Sequence, residues 1–186
     1  MTDVPPSTAA GLTAILRRSG GTVTEFLEDL AGEPIDADIL VHRVVPAGDG
    51  NALGLIPDAE LLRRAVLLTG RATGRVFVYA ESAIAAGRLP APVRQRLERS
   101  RDPIGRVLLD HRLTVRREPV AGPVVAETVD EETGALLRRA PLSRRYRIMI
   151  GSDPAFVVSE WFLEAVPEAL AARPRWSEGP NHEAGL

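Results

Sequence analysis

The sequence contains neither cysteine nor lysine; all 23 of its basic residues are arginine. Without cysteine there can be no disulfide, no thiolate metal ligand and no thiol nucleophile. Without lysine there is no Schiff-base chemistry, no attachment point for pyridoxal phosphate and no Walker A loop. A GC-rich genome accounts for arginine standing in for lysine throughout, and the exclusions hold whatever the cause. Histidine is scarce: His42, His111 and His182 lack the close pairing of a zinc site, so no metal is expected. Neither sign of charge dominates, and a net charge of −2 sets up no global field for nucleic acid or anionic lipid. No apolar run is long enough to span a bilayer. The N-terminal stretch MTDVPPSTAAGLTAILRR has no basic segment ahead of its apolar residues, so a secretory signal is not expected. A cytoplasmic location fits best.

What is present suffices for a core, since hydrophobic residues make up 45% of the chain and the length suits one domain. Residues 1–7 read as a lead-in broken by Pro5 and Pro6. Ser7 can cap a short helix to Arg18 that places Leu12, Ile15 and Leu16 on one face, and Gly20 and Gly21 end it. Thr22 to Glu25 has the form of a capping box, a hydroxyl followed three residues later by a carboxylate. The helix it opens carries Val23, Phe26, Leu27 and Leu30 on one stripe and stops at Gly32 and Pro34. From there the apolar period changes to two. Strands are expected over residues 39–45, 61–69, 75–83, 113–120, 123–129, 144–150 and 155–163. Hairpins fall at 70–74 and 151–154, a turn at 131–134, and helices over 91–100, 104–110 and 166–172. The tail from Arg173 to Leu186 reads as disordered. Strands joined by tight hairpins, with helices grouped elsewhere, predict an α+β domain over residues 1–172 built on an antiparallel sheet.

Side chains alternate across a strand, and that alternation singles out two charges. Glu160 shares a face with Phe156, Val158 and Phe162. Arg64 shares one with Leu62, Val66 and Leu68, whereas Arg63 points the other way. Two readings stand side by side. One is a buried structural ion pair between them. The other is an anion site in which arginine holds a carboxylate and the glutamate moves a proton. The three arginines around Tyr146 in Arg144–Arg147 read as a solvated face, with Arg145 and Arg147 beside Met149. Arg116-Arg117-Glu118 reads as cross-strand salt bridging. His111 sits where a helix should end. Trp161 reads as core, and Gly105 as a point of close backbone approach to a ligand.

Taken in order, Gly21-Thr22-Val23-Thr24-Glu25-Phe26-Leu27, Leu62-Arg63-Arg64-Ala65-Val66-Leu67-Leu68, Pro103-Ile104-Gly105-Arg106-Val107-Leu108, Arg144-Arg145-Tyr146-Arg147 and Val158-Ser159-Glu160-Trp161-Phe162-Leu163 resemble the chorismate pyruvate-lyase family. The resemblance runs over roughly residues 20 to 165 and rests on the order and spacing of short blocks. It implies a lyase that removes pyruvate from chorismate to leave 4-hydroxybenzoate. It implies a single antiparallel sheet with helical flaps over a buried ligand cavity, working without metal or cofactor. The family's ligand-binding arginine falls on Arg64, its essential glutamate on Glu160, its product-binding backbone residue on Ile104, and a flap residue on Val23. The partners implied are chorismate and 4-hydroxybenzoate, with no nucleic acid and no membrane; the oligomeric state is left open, with a monomer favoured. Two rival readings remain. One is a lyase for a chorismate derivative. The other is a non-catalytic effector-sensing module of the same fold, which in helix-turn-helix regulators follows a DNA-binding domain; the first roughly 60 residues here hold too little helix for one.

Overall fold

In the computed structural model, residues 11–13, 16, 22–127 and 129–172 are described. The expected lead-in at residues 1–7 and the tail from residue 173 lie outside them, as does His182. Of the expected helix from Ser7 to Arg18, residues 11–13 and 16 are described; they are helical, and Leu12 and Leu16 are buried.

The elements are α1 (Val23–Ala31), β1 (Ile35–Pro46), β2 (Glu60–Gly70), β3 (Val76–Ile84), α2 (Ala91–Arg99), α3 (Ile104–Asp110), β4 (Val115–Pro119), α4 (Glu131–Leu137), β5 (Leu142–Ile150), β6 (Asp153–Phe162) and α5 (Ala165–Ala171). All six strands form one sheet in the order β1-β2-β3-β6-β5-β4, and every neighbouring pair is antiparallel. The fold is therefore α+β, as the spacing of hairpins predicts. The capping box that opens α1 is complete: the Glu25 backbone N–H donates to Thr22 Oγ1 (3.2 Å) and the Thr22 N–H donates to Glu25 Oε2 (2.8 Å). Gly32 ends α1 in the left-handed region at φ 74°, where glycine carries no Cβ penalty.

One face of the sheet carries two apolar clusters. The first joins α1 and α5 to Leu68, Val78, Ala80 and Phe162. The second joins α2 and α3 to Leu62, Ile84, Ile148, Phe156 and Val158. The opposite face buries Tyr79, Trp161 and Ala65 under Leu137 and the segment around Val124 and Ala126. Trp161 is core, with its ring 5.5 Å from that of Tyr79.

That covering segment departs from expectation. Of residues 123–129, the described ones, 123–127 and 129, do not pair as a strand. Their alternating valines and alanine lie on the back of the sheet instead of extending its edge. The Glu127 N–H donates to both carboxylate oxygens of buried Glu81 (3.1 and 2.9 Å), so a side chain replaces the ladder partner. Tyr79 Oη donates to the same carboxylate at 2.7 Å, and Arg63 pairs with the Glu127 side chain. The expected turn at 131–134 is the start of helix α4, because Asp130 Oδ1 accepts from the Thr133 N–H (2.7 Å) as an N-cap does.

The β5–β6 hairpin contains a bulge. Ile150 pairs with Asp153 and Met149 with Pro154, but Ile148 pairs with Phe156, which leaves Ala155 as the extra residue. Beyond the bulge Arg144 stands opposite Glu160 and Tyr146 opposite Val158.

Because Glu81 satisfies both the covering segment and Tyr79, Glu81→Ala is expected to cost about 2–4 kcal/mol, as removal of a buried multiply bonded acceptor does. Urea unfolding checks this; a loss below half a kcal/mol, a surface-like value, would show that the segment is held by its apolar contacts alone.

Candidate active site

Between the two apolar clusters the sheet bears a cavity of about 70 Å³. Its floor follows from strand register. Arg64 on β2 pairs with Ser82 on β3, and Ser82 pairs with Val158 on β6; two residues along, Val66 pairs with Ala80 and Ala80 with Glu160. Arg64 and Glu160 thus sit two strands and two residues apart, about 12 Å between Cα positions for ordinary strand spacing and rise. Ala80 and Ser82, the side chains between them, are small. Two long charged groups therefore stand at opposite ends of a shallow depression.

Arg64 is buried, at 2% exposure, and none of its three guanidinium nitrogens has a hydrogen-bond partner. Burial holds its pKa below the usual arginine value, and the charge of Asp102 offsets this only in part. A buried cation without a partner is costly, so the arrangement is one that an incoming anion would complete.

Glu160 is equally buried but satisfied. Its Oε2 accepts from Arg144 Nε at 2.6 Å and its Oε1 from Tyr146 Oη at 2.9 Å. The Arg144 guanidinium lies over the Tyr146 and Phe162 rings, 5.1 and 5.4 Å from their centroids. Burial opposes the charge on Arg144, but the Glu160 carboxylate and Tyr146 outweigh it and raise its pKa. Burial, reinforced by the charge of Glu160, pushes the Tyr146 phenol well up, so that it remains a donor. The ion pair between Arg64 and Glu160, one of the two sequence readings, is not formed; both residues face the same cavity with different surroundings.

The roof consists of two helix starts. Thr22, Val23 and Thr24 come from α1, and Pro103, Ile104, Gly105 and Leu108 from α3. Ile104 opens α3, so its N–H has no acceptor within the helix. Gly105 lets the two helix starts approach each other: a Cβ built there would lie 2.7 Å from Thr22 Cβ. Arg106 ties the two helices together through two bonds to Glu28, each 3.0 Å.

All four residues singled out from sequence, Arg64, Glu160, Ile104 and Val23, therefore line one cavity. Arg144 and Tyr146 were missed, because Arg144–Arg147 reads as a solvated face. The bulge at Ala155 turns Arg144 and Tyr146 toward Glu160 and sends Arg147 away to Glu118, 3.4 Å off on β4. That last contact is the cross-strand bridge expected of Glu118, while Arg117 lines the cavity. His111 is the residue that ends α3. Among the described residues no group of three or more histidines and carboxylates is placed to hold a metal, and no helix is long and apolar enough to cross a membrane.

The family described as chorismate pyruvate-lyase Rv2949c-like matches residues 18–170. The chain belongs to the chorismate pyruvate-lyase family. A chorismate pyruvate-lyase of Mycobacterium tuberculosis (strain H37Rv) is 32% identical over 163 residues, which cover 82% of this chain and 79% of that protein. One from Mycobacterium leprae (strain TN) is 31% identical over 161 residues, covering 82% and 74%. Among solved structures, the C-terminal domain of the histidine utilization repressor from Pseudomonas syringae pv. tomato superposes with a TM-score of 0.52 at 15% identity, over 71% of this chain and 93% of that one. PhnF from Mycobacterium smegmatis gives 0.50 at 14%, over 78% and 65%. At such identities these two show a shared fold alone.

Two outcomes follow for this lyase-family cavity. Arg64→Met is expected to raise the unfolding free energy of the ligand-free protein by about 1–4 kcal/mol, since an unpartnered buried charge gives way to an apolar chain. A fall in the urea midpoint would instead make Arg64 part of the scaffold. Gly105→Ala should lower stability by about 1–3 kcal/mol, because the Thr22 Cβ is not a flexible tip that can swing aside; an unchanged midpoint would mean that α1 and α3 part without cost.

Proposed function

We propose that this chain eliminates pyruvate from chorismate to give 4-hydroxybenzoate, with Arg64 holding the ring carboxylate and Glu160 moving the proton. The observation that carries this reading is the buried Arg64 guanidinium with no partner in the cavity, across a floor of small side chains from a buried carboxylate already provided with donors. Membership of the family supplies the reaction class.

Chorismate is a cyclohexadiene with one carboxylate on the ring and another on an enolpyruvyl ether. Aromatisation requires loss of the proton on the hydroxyl-bearing ring carbon. Its electron pair becomes a ring double bond as the neighbouring carbon–oxygen bond breaks. The enolpyruvyl oxygen departs with the bonding pair, and one proton returns to the three-carbon fragment as it becomes pyruvate. The step needs an anchor for the ring acid and one group that takes and returns a proton. Arg64 suits the first, since a planar guanidinium pairs with a carboxylate through two hydrogen bonds. Glu160 suits the second: Arg144 and Tyr146 fix its rotamer so that the carboxyl stays aimed at the far end of the ring. The Ile104 N–H at the start of α3 adds a backbone donor, and Val23 closes the roof over the ring. None of these tasks calls on lysine, cysteine or a metal.

The rival, an effector module that binds an aromatic acid without turnover, shares the fold, and one assay separates them. Incubation with chorismate should release 4-hydroxybenzoate and pyruvate in equal amounts. Glu160→Gln is expected to lower kcat by about 10²–10⁴, the span of a lost general acid–base. Arg64→Ala should weaken 4-hydroxybenzoate binding roughly ten- to a hundredfold. Tight binding of the hydroxybenzoate without pyruvate release by the wild-type protein would favour the module, and parent rates in both folded variants would overturn the assignment of residues.

A further inference from the structure

A second chamber, about 520 Å³, adjoins the cavity on the β4–β5 side and shares Val23, Arg117 and Tyr146 with it. The remainder of its polar lining is basic or neutral: Arg144, Arg145, Ser143 and Thr13. Three arginines line it, and no carboxylate is among its described lining residues. Arg144 is engaged by Glu160, and Arg145, one residue along β5, lies on the opposite strand face, where it also lines a space with Glu127. Arg117 is left: it is exposed on β4, and no ion pair engages it among the described residues, although Arg116 and Arg147 both pair with Glu118. An arginine left unpaired beside a chamber with no described carboxylate is open to an anion.

Charge accounting inside the first cavity leads to the same place, on the reading of a two-carboxylate substrate proposed above. Among the described residues lining the inner cavity, Arg64 is the only unpaired cation apart from Arg117, and Arg64 can neutralise one carboxylate. Burying a second beside Glu160 without a counter-charge would be prohibitive. Glu160, Arg144 and Tyr146 stand where the two spaces meet, so the bond to be broken lies at their boundary, with the ring on the Arg64 side and the three-carbon acid on the other.

We propose that the outer chamber is the subsite for the enolpyruvyl carboxylate, with Arg117 as its ligand, and that pyruvate departs through it while the aromatic acid stays on Arg64. The two halves of the substrate then have separate counter-ions on separate strands. The product, which carries only the ring carboxylate, makes no use of the second.

The test compares chorismate with 4-hydroxybenzoate in the full chain. Arg117 is exposed and lies outside the apolar clusters, so Arg117→Ala and Arg117→Lys should both fold. Arg117→Ala is expected to raise KM, and the calorimetric Kd, for chorismate roughly ten- to a hundredfold, the value of a charge-assisted pair. The Kd for 4-hydroxybenzoate should stay within about twofold, and Arg117→Lys should recover most of the chorismate loss. Equal weakening of both ligands, or of neither, would overturn the subsite. The readout is independent of turnover: a wild-type protein that binds chorismate without converting it would defeat the proposed reaction, while the difference between the two ligands' Kd values would still decide whether Arg117 takes the three-carbon acid.

Discussion

Everything at this site depends on which carboxylate neutralises which arginine. Glu160 is paired within its own hairpin, by Arg144 and Tyr146 on the neighbouring strand. Arg64, on the opposite side of β3, has no hydrogen-bonded carboxylate, and Asp102 offsets its burial only in part. Had Glu160 turned to Arg64, the cavity would be a closed structural pair with nothing to offer a ligand. The local pairing makes the glutamate rigid and the distant arginine hungry, and both properties belong to a binding site.

The rest of the fold serves that separation. β3 lies between the two charges and presents Ala80 and Ser82, which keep the floor low. The two apolar clusters stand on either side and hold the helices whose first turns roof the cavity. The tight approach of Gly105 to Thr22 and the Glu28–Arg106 bridge bring those first turns together. On the reverse face, Glu81 fastens the covering segment to the sheet by the same device seen at the front, a buried carboxylate given several donors. The front site differs in carrying a cation that the protein itself leaves unanswered.

Much of this was legible in the sequence. The capping box at Thr22, the period-two strands and the tight hairpins give the sheet and its antiparallel order. Alternation alone places Arg64 and Glu160 on inward faces. Residues 123–129 were misread because alternating apolar residues describe any extended segment with one buried face, whether it pairs along a sheet edge or lies across a sheet's back. Arg144 and Tyr146 were misread for a subtler reason. Counted back from the Gly151-Ser152 turn without interruption, β5 would set Arg145 opposite Val158 and Arg144 opposite Ser159, putting the wrong arginines at the cavity. Ala155, the bulged residue, corrects the register by one, and alanine announces nothing of the kind.

That single extra residue limits how this lineage can vary. Most hairpin turns tolerate gain or loss of a residue, since the change is absorbed at the surface. Here the unpaired residue must stay unpaired as long as the hairpin keeps its length: were Ala155 drawn into the ladder, Ser159 would stand opposite Arg144 and Glu160 opposite Ser143. Loss of Ala155 itself would leave Ile148 opposite Phe156 and Arg144 opposite Glu160, because the residue that goes has no partner. Substitutions along this hairpin can therefore drift one at a time, and the hairpin can shorten at the bulge, but it cannot exchange the bulge for a regular ladder of the same length without also replacing the residues that hold its glutamate.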